Sequence, residues 1–317
     1  MNMSLKRIFS TALFALAFSG SCLAQQYPVF SQYYFNELVI NPAYAGNHGQ
    51  MSITTMYRNQ WVNFPGAPKT FNLSGHSSFM KNKVGVGLMI NRDEIGSYKN
   101  DHIYGYYSYM LRLSNDATLA MGLQAGMNIL RADYSELDLT DPDDASFANI
   151  VNKVKPNFGG GLYYSRKNFF LGFSVPFILN NKVANSVEGL LGELKEARYY
   201  FLRSGTVVPI TRSKNVKWNP SFLVRAQEKQ PLTFDINNAF IFYDLFSLGV
   251  SYRLGDAFIG FIDLKLSDSI HFGYAYDATT SNLNKFSNGT HEFMLNYRVR
   301  IRKIHGNIEC PSYYHYR

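Results

Sequence analysis

Apolar and polar side chains alternate at every second position over long stretches of the chain. Between Thr118 and Ile129 one face carries only apolar side chains, and the other carries small or polar ones. The same period of two recurs in 246–255, 270–277 and 293–301. Because successive side chains of a β-strand point to opposite faces, the pattern predicts an all-β protein.

Strand length and the polarity of one face favour a membrane barrel over a soluble β-sandwich. The alternating segments are about ten residues long, the length that crosses a bilayer at about 45° tilt. Strands of soluble proteins average about five or six residues. A small or polar face suits a barrel interior and not the dry core of a sandwich. We therefore predict a transmembrane antiparallel up-and-down β-barrel.

The connections support a count of fourteen strands, an even number as in most bacterial single-chain barrels. Every second connection is short and polar, whereas the long stretches 133–155, 180–196 and 281–288 fall on the opposite parity. Short periplasmic turns and longer outer loops are typical of outer-membrane barrels, so both ends of the barrel are expected on the periplasmic side. The predicted strands are 50–62, 69–79, 84–95, 99–113, 117–132, 156–166, 168–179, 197–211, 216–227, 232–243, 245–255, 256–267, 269–280 and 289–301.

The two ends of the chain differ from the barrel segments. Lys6 and Arg7, the apolar run that follows them, and Ala24 predict a cleaved signal peptide over residues 1–24. A lipoprotein site at Cys22 is the alternative. Residues 25–47 are aromatic and predict a periplasmic strap or an inward-folded plug. The barrel is expected over 48–301, followed by a periplasmic tail over 302–317.

Composition narrows the function without identifying it. Aromatic residues make up 16% of the chain and charged residues 17%, with a formal net charge of +8. Export argues against a nucleic-acid partner. If cleavage follows Ala24, only Cys310 remains, and no internal disulfide can form. The run Gly159–Gly161 lacks the residues of a phosphate loop and is interpreted as a place where a bulky neighbour approaches the wall.

Catalytic and metal-binding motifs are not found in the sequence. The seven histidines are scattered, without the spacing of a zinc or serine-hydrolase motif. A hydrolase at the barrel rim using Ser251, His271 and Asp277 is a distant alternative. The acidic pair Asp93-Glu94 is interpreted as solvated loop residues rather than as cation ligands. We predict that the protein is not an enzyme and needs no cofactor.

Several motifs resemble the PorP/SprF family of Bacteroidetes. They include residues 28–33 (PVFSQY), 41–46 (NPAYAG), 57–61 (YRNQW), 273–277 (GYAYD) and 287–292 (SNGTHE). The resemblance runs in order from about residue 27 to residue 300. It implies an outer-membrane barrel of the type IX secretion system and the linked gliding machinery. The implied partners are its periplasmic ring and peptidoglycan-associated proteins, or a large surface adhesin.

Two groups of residues are candidate partner-binding sites. The basic stretch at the end of the last strand is open to two interpretations, contact with lipid headgroups or docking of a periplasmic protein. The expected function is export or surface anchoring of an adhesin by protein–protein contact. A small-molecule channel is the alternative, because fourteen strands enclose more space than the eight that side chains can fill. The candidate residues are Asn41, Pro42, Tyr44, Gly46, Arg298, Arg300, Arg302 and Lys303.

Overall fold

The computed structural model describes residues 30–132, 151–181, 198–228 and 230–299. These residues form one antiparallel sheet in which each strand pairs with the next, and the last strand pairs with the first through Met51 and Val299. The sheet is therefore a closed barrel of fourteen strands. The strands are β1 (Met51–Asn59), β2 (Lys69–Phe79), β3 (Val84–Ile95), β4 (Tyr98–Arg112), β5 (Ala117–Ala132), β6 (Val151–Arg166), β7 (Phe169–Val175), β8 (Tyr199–Thr206, continuing as Val208–Pro209), β9 (Val216–Gln227), β10 (Thr233–Phe242), β11 (Phe246–Arg253), β12 (Ala257–Lys265), β13 (Ile270–Thr279) and β14 (Thr290–Val299).

The outer face of the barrel is apolar, and its inner face is mostly polar with a buried apolar cluster that includes Met56, Met89 and Phe261. Leu123 is 65% exposed on the outer face of β5, and its neighbour Gln124 is 4% exposed on the inner face. On β11, Val250 is 64% exposed and Ser251 only 3%. A continuous apolar outer face is stable only against lipid, so this wall is built to lie in a membrane.

Most predicted strands agree with the structure, and the exceptions have local causes. Strand β6 begins at Val151 rather than at residue 156, because it pairs with β5 as far as Ala132. Strand β7 ends at Val175, because Pro176 lacks an N–H group and the chain then turns inward to bury Phe177. Strand β8 is interrupted at Val207, which is fully buried.

The connections define two different ends of the barrel. Residues 80–83, 113–116, 167–168, 210–215, 243–245 and 266–269 connect strands at one end, which we call the short-turn end. Strand β1 begins and β14 ends there. The opposite end, which we call the long-loop end, carries 60–68, 133–150, 176–198 and 280–289. In outer-membrane barrels the short turns face the periplasm.

A non-strand segment, Phe30–His48, lies inside the barrel, and we call it the inner segment. All of its side chains are buried. It consists of turns and two short 3-10 helices, Glu37–Val39 and Pro42–Tyr44. The second begins with Pro42, which needs no hydrogen-bond acceptor at that position, and the Asn41 side chain accepts a hydrogen bond from the Ala43 N–H. Within the described ranges, no helix has the length and apolar character needed to span a membrane.

Candidate functional site

The inner segment crosses the lumen from one end of the barrel to the other. Ser31 contacts Glu292 near the start of β14, at the long-loop end. Further along, the Asn36 Nδ2 donates to Ser74 Oγ at 2.8 Å. Gly49 then packs against the side chain of Asn82, in the turn between β2 and β3 at the short-turn end. The described chain thus enters the lumen near the long-loop end and reaches β1 at the opposite end.

Four buried polar residues, Ser31, Arg58, Asp277 and Glu292, hold the first part of the inner segment, and we call them the ionic clamp. The Arg58 guanidinium lies 2.9 Å from the Asp277 carboxylate and 3.2 Å from that of Glu292. The Ser31 N–H donates to both Glu292 oxygens, at 2.8 and 2.6 Å, and its hydroxyl donates to Asp277 at 2.7 Å. Charge-assisted hydrogen bonds of this kind are roughly twice as strong as neutral ones.

A second buried charge pair holds the middle of the segment. The Glu37 carboxylate pairs with the Arg203 guanidinium and accepts a hydrogen bond from Tyr163 Oη at 3.3 Å. Arg203 also stacks over the rings of Tyr33 and Phe170, 5.4 and 4.7 Å from their centroids. Both side chains are almost fully buried, with 5% of the Arg203 side chain and 2% of the Glu37 side chain exposed. Each charge of this pair therefore depends on the other.

Close backbone contacts hold the last part of the segment. A Cβ atom added at Gly122 would collide with the backbone of Pro42 and Ala43. A Cβ at Gly161, the register partner of Gly122, would collide with Asn41 Oδ1, and one at Gly85 with the Ala45 carbonyl. We call Gly85, Gly122 and Gly161 the glycine seam. Only glycine lets the segment approach the wall this closely.

The candidate residues of the inner segment lie in this internal contact. Asn41, Pro42, Tyr44 and Gly46 are all buried residues. Asn41 Nδ2 donates to the Leu162 carbonyl at 3.1 Å, and the Gly46 N–H donates to His76 Nδ1 at 3.1 Å. In the structure, the surface they contact is therefore the inner wall of the barrel itself.

The glycine run on β6 has the close neighbours that its sequence predicts. Gly161 faces Asn41, and a Cβ at Gly159 would collide with Pro176, where the chain turns inward after β7. The Pro176 carbonyl accepts a hydrogen bond from Gln124 Nε2 at 2.7 Å. The prediction that a neighbour approaches the wall at this run is confirmed.

The structure corrects the interpretation of Arg298. Its side chain is buried in the lumen, and its Nε donates to Asn296 Oδ1 at 2.8 Å. The side chain therefore reaches neither lipid headgroups nor an external docking surface. The period of two places Asn296 and Arg298 on the same lumen-facing side, so the alternation in the sequence already predicted that Arg298 points into the barrel. Arg300, Arg302 and Lys303 lie outside the described residues, and their role stays a prediction.

The structure also corrects two further interpretations, because the residues concerned lie elsewhere than the sequence suggested. Asp93 is not a loop residue but lies in β3, buried, with its carboxylate accepting from Thr70 Oγ1 at 2.7 Å. The acid nearest the His271 ring is Asp263, at 3.7 Å, rather than Asp277, which belongs to the ionic clamp. Among the described residues, no three His, Cys, Asp or Glu side chains lie close enough to hold a metal ion.

The sequence model of one family, described as type IX secretion system membrane protein PorP/SprF, matches residues 22–297. The chain belongs to the PorP/SprF family. It is therefore an outer-membrane component of type IX secretion. No curated protein matches the chain.

Solved structures similar to this PorP/SprF barrel are other membrane barrels, and the likeness extends to the fold alone. The CymD monoaromatic hydrocarbon channel is 11% identical with a TM-score of 0.51, covering 89% of this chain and 96% of its own. Omp33 of Acinetobacter baumannii is 12% identical (TM-score 0.44; 80% and 98% covered). A Pseudomonas aeruginosa FadL homologue is 11% identical (TM-score 0.44; 87% and 95% covered). None of these descriptions is that of an enzyme.

Proposed function

We propose that this PorP/SprF barrel aids the export or surface anchoring of a partner adhesin by protein–protein contact, rather than by passing small solutes. The observation that carries the proposal is the inner segment. It occupies the lumen from the long-loop end to the short-turn end, and its contacts reach strands on all sides of the barrel. Polar or aromatic contacts join it to β1, β2, β4, β6, β7, β8, β10, β12, β13 and β14.

A lumen filled in this way argues against a permanent water path. A channel needs groups that bind a solute weakly enough to release it. Here the lumen-facing Arg58 and Arg203 are already paired with buried carboxylates. The inner segment supplies Glu37 to Arg203, and its Ser31 hydroxyl accepts a hydrogen bond from Arg58. The lumen is therefore organised around a resident part of the chain.

The two ends of the barrel suit two kinds of partner. At the long-loop end, strands β5 and β7 end and strands β6 and β8 begin, and we propose that an exported adhesin contacts the barrel at this end. The short-turn end faces the side on which periplasmic ring and peptidoglycan-associated proteins lie. In this proposal one barrel binds the adhesin at its outer end and the periplasmic proteins at its inner end.

Two measurements on the full-length protein and one on cells that lack the gene test the proposal. The first is affinity purification of the tagged protein from gently solubilised membranes, with an unrelated tagged outer-membrane barrel as the control. We expect secretion-system proteins, or one very large surface protein, to be enriched over the control. In cells lacking the gene, the same surface protein should be lost from intact cells, as measured by surface labelling.

The second measurement is the conductance of the purified barrel in planar bilayers. We expect no steady conductance from the wild-type protein. A steady small-ion current, together with no partner enriched over the control barrel, would contradict the proposal and support a channel instead. Loss of all type IX cargo on deletion would identify a core component, and loss of one surface protein a dedicated anchor.

A further inference from the structure

A group of charged side chains lies on the outer, lipid-facing wall at the long-loop end. Lys69 on β2, Glu94 on β3, Lys99 on β4 and Arg131 on β5 are direct register partners across four neighbouring strands. Directly opposite residues of an antiparallel pair point to the same face. Lys69, Lys99 and Arg131 are exposed, and Glu94 is half-buried. Four strands at a spacing of about 4.8 Å give this row a length of roughly 14 Å.

A second row, about 7 Å nearer the middle of the wall, contains Arg92 on β3 and its register partner Asp101 on β4. The Arg92 guanidinium donates to both Asp101 oxygens, at 2.6 and 3.1 Å, and Arg131 Nη2 lies 3.6 Å from the same carboxylate. Although Asp101 is on the outer wall, its side chain is only 9% exposed, while those of Arg92 and Arg131 are about half exposed. The carboxylate thus fixes both guanidinium groups and leaves their outer faces open.

The position of these charges matches the headgroup level of the outer leaflet. Toward the middle of the same strands, the outward side chains are apolar, as with Leu73, Ile90 and Met127. A basic side chain is costly deep in hydrocarbon and nearly free of cost at the interface. The charged rows therefore mark the boundary between the apolar band and the headgroups.

We propose that the six side chains Lys69, Arg92, Glu94, Lys99, Asp101 and Arg131, which we call the rim patch, bind the phosphate groups of an outer-leaflet glycolipid. Four cations and two anions give the patch a net charge of +2. Lys69 and Lys99, which do not pair with Asp101, supply ammonium groups on flexible side chains. Arg92 and Arg131, which Asp101 holds in place, present pairs of N–H donors that match phosphate oxygens. A lipid is favoured over a free anion because the apolar band directly below binds acyl chains at the same time.

The test uses the full mature protein in detergent micelles, titrated with diphosphorylated lipid A and followed by native mass spectrometry. The variant Lys69→Gln/Lys99→Gln should bind this lipid about 30-fold more weakly, because each basic residue near a charged lipid surface contributes about fivefold. The matched control is Arg212→Gln/Lys214→Gln, which removes two exposed charges from the turn 210–215 at the opposite end. A gel shift between unheated and heated samples verifies that each variant is folded.

The comparison lipids decide what the rim patch recognises. Dephosphorylated lipid A should bind the wild-type protein at least as weakly as diphosphorylated lipid A binds the double variant, because it also loses the contacts of Arg92 and Arg131. Equal affinities of wild type and double variant, equal losses in both variants, or equal binding of dephosphorylated lipid A would each overturn the proposal. So would displacement of the lipid by millimolar inorganic phosphate, which would indicate a free-anion site.

Discussion

At its start, the inner segment meets the wall through charged groups, whereas nearer its end it meets the wall through backbone atoms. Ser31 is held in the ionic clamp by the carboxylates of Asp277 and Glu292, which share Arg58. Pro42 and Ala43, by contrast, lie directly against Gly122. The contact of Ser31 depends on charge, whereas the contact of Pro42 and Ala43 is possible because Gly122 has no side chain.

This difference teaches how the segment is specified without secondary-structure pairing to the wall. A charge network is satisfied only when all of its members are in place, so it fixes one position of Ser31. A glycine contact supplies no strong attraction but allows an approach that any other residue would prevent. Breaking the clamp should therefore cost more stability than filling the seam, whereas the seam determines how closely the segment lies against the wall.

Breaking the ionic clamp should have the largest effect. The substitution Arg58→Met leaves Asp277 and Glu292 buried without their counter-charge, which costs about 3–5 kcal/mol. We expect the free energy of unfolding in urea, measured by tryptophan fluorescence in micelles, to fall by this amount. Because the start of the inner segment is then released, we also expect current steps in planar bilayers.

The control is Arg212→Met in an exposed turn, which should change the free energy of unfolding by less than about 0.5 kcal/mol. A clamp variant as stable as this control would mean that the buried charges do not hold the segment. Stability lost without any current would mean that the remaining contacts of the inner segment keep the lumen closed.

The strand pattern could be read from the sequence because it depends on local chemistry. Strands β2 and β9 begin and end where the alternation predicts, at Lys69–Phe79 and Val216–Gln227. Lipid on one side and a polar lumen on the other impose the period of two on every strand. The same rule placed Arg298 inside the barrel, and the interpretation of its charge as a lipid or docking contact overrode that rule.

The path of the inner segment could not be read in this way. Its residues have no period, because its side chains contact strands that are far apart in the sequence. Ser31 meets Glu292, 261 positions away, and Tyr33 meets Asn237, 204 positions away. Local propensity carries no information about such distant pairs. The glycine run of β6 indicated a close neighbour, but only the fold identifies that neighbour as Asn41.

Filling the glycine seam should have an intermediate effect. The substitution Gly122→Val places a branched side chain where the backbone of Pro42 and Ala43 lies, and overpacking of this kind costs about 1–3 kcal/mol. The matched control is Gly105→Val, on the exposed face of β4, where an added Cβ would have only the Ala125 carbonyl near it, at 3.9 Å. Urea unfolding measures both variants. If they lose equal stability, strand distortion rather than contact with the inner segment explains the loss.

The smallest effect is expected between the clamp and the seam, where a neutral hydrogen bond joins the segment to the wall. Asn36 Nδ2 donates to Ser74 Oγ on β2 at 2.8 Å, and such a bond contributes about 1 kcal/mol. A double-mutant cycle with Asn36→Ala and Ser74→Ala isolates this pair. We expect a coupling energy of about 1 kcal/mol, well below the cost of Arg58→Met. A coupling energy as large as the cost of Arg58→Met would show that a neutral contact stabilises the segment as much as the ionic clamp does. The difference between the charged start and the close-packed end of the segment would then not be a difference in stability.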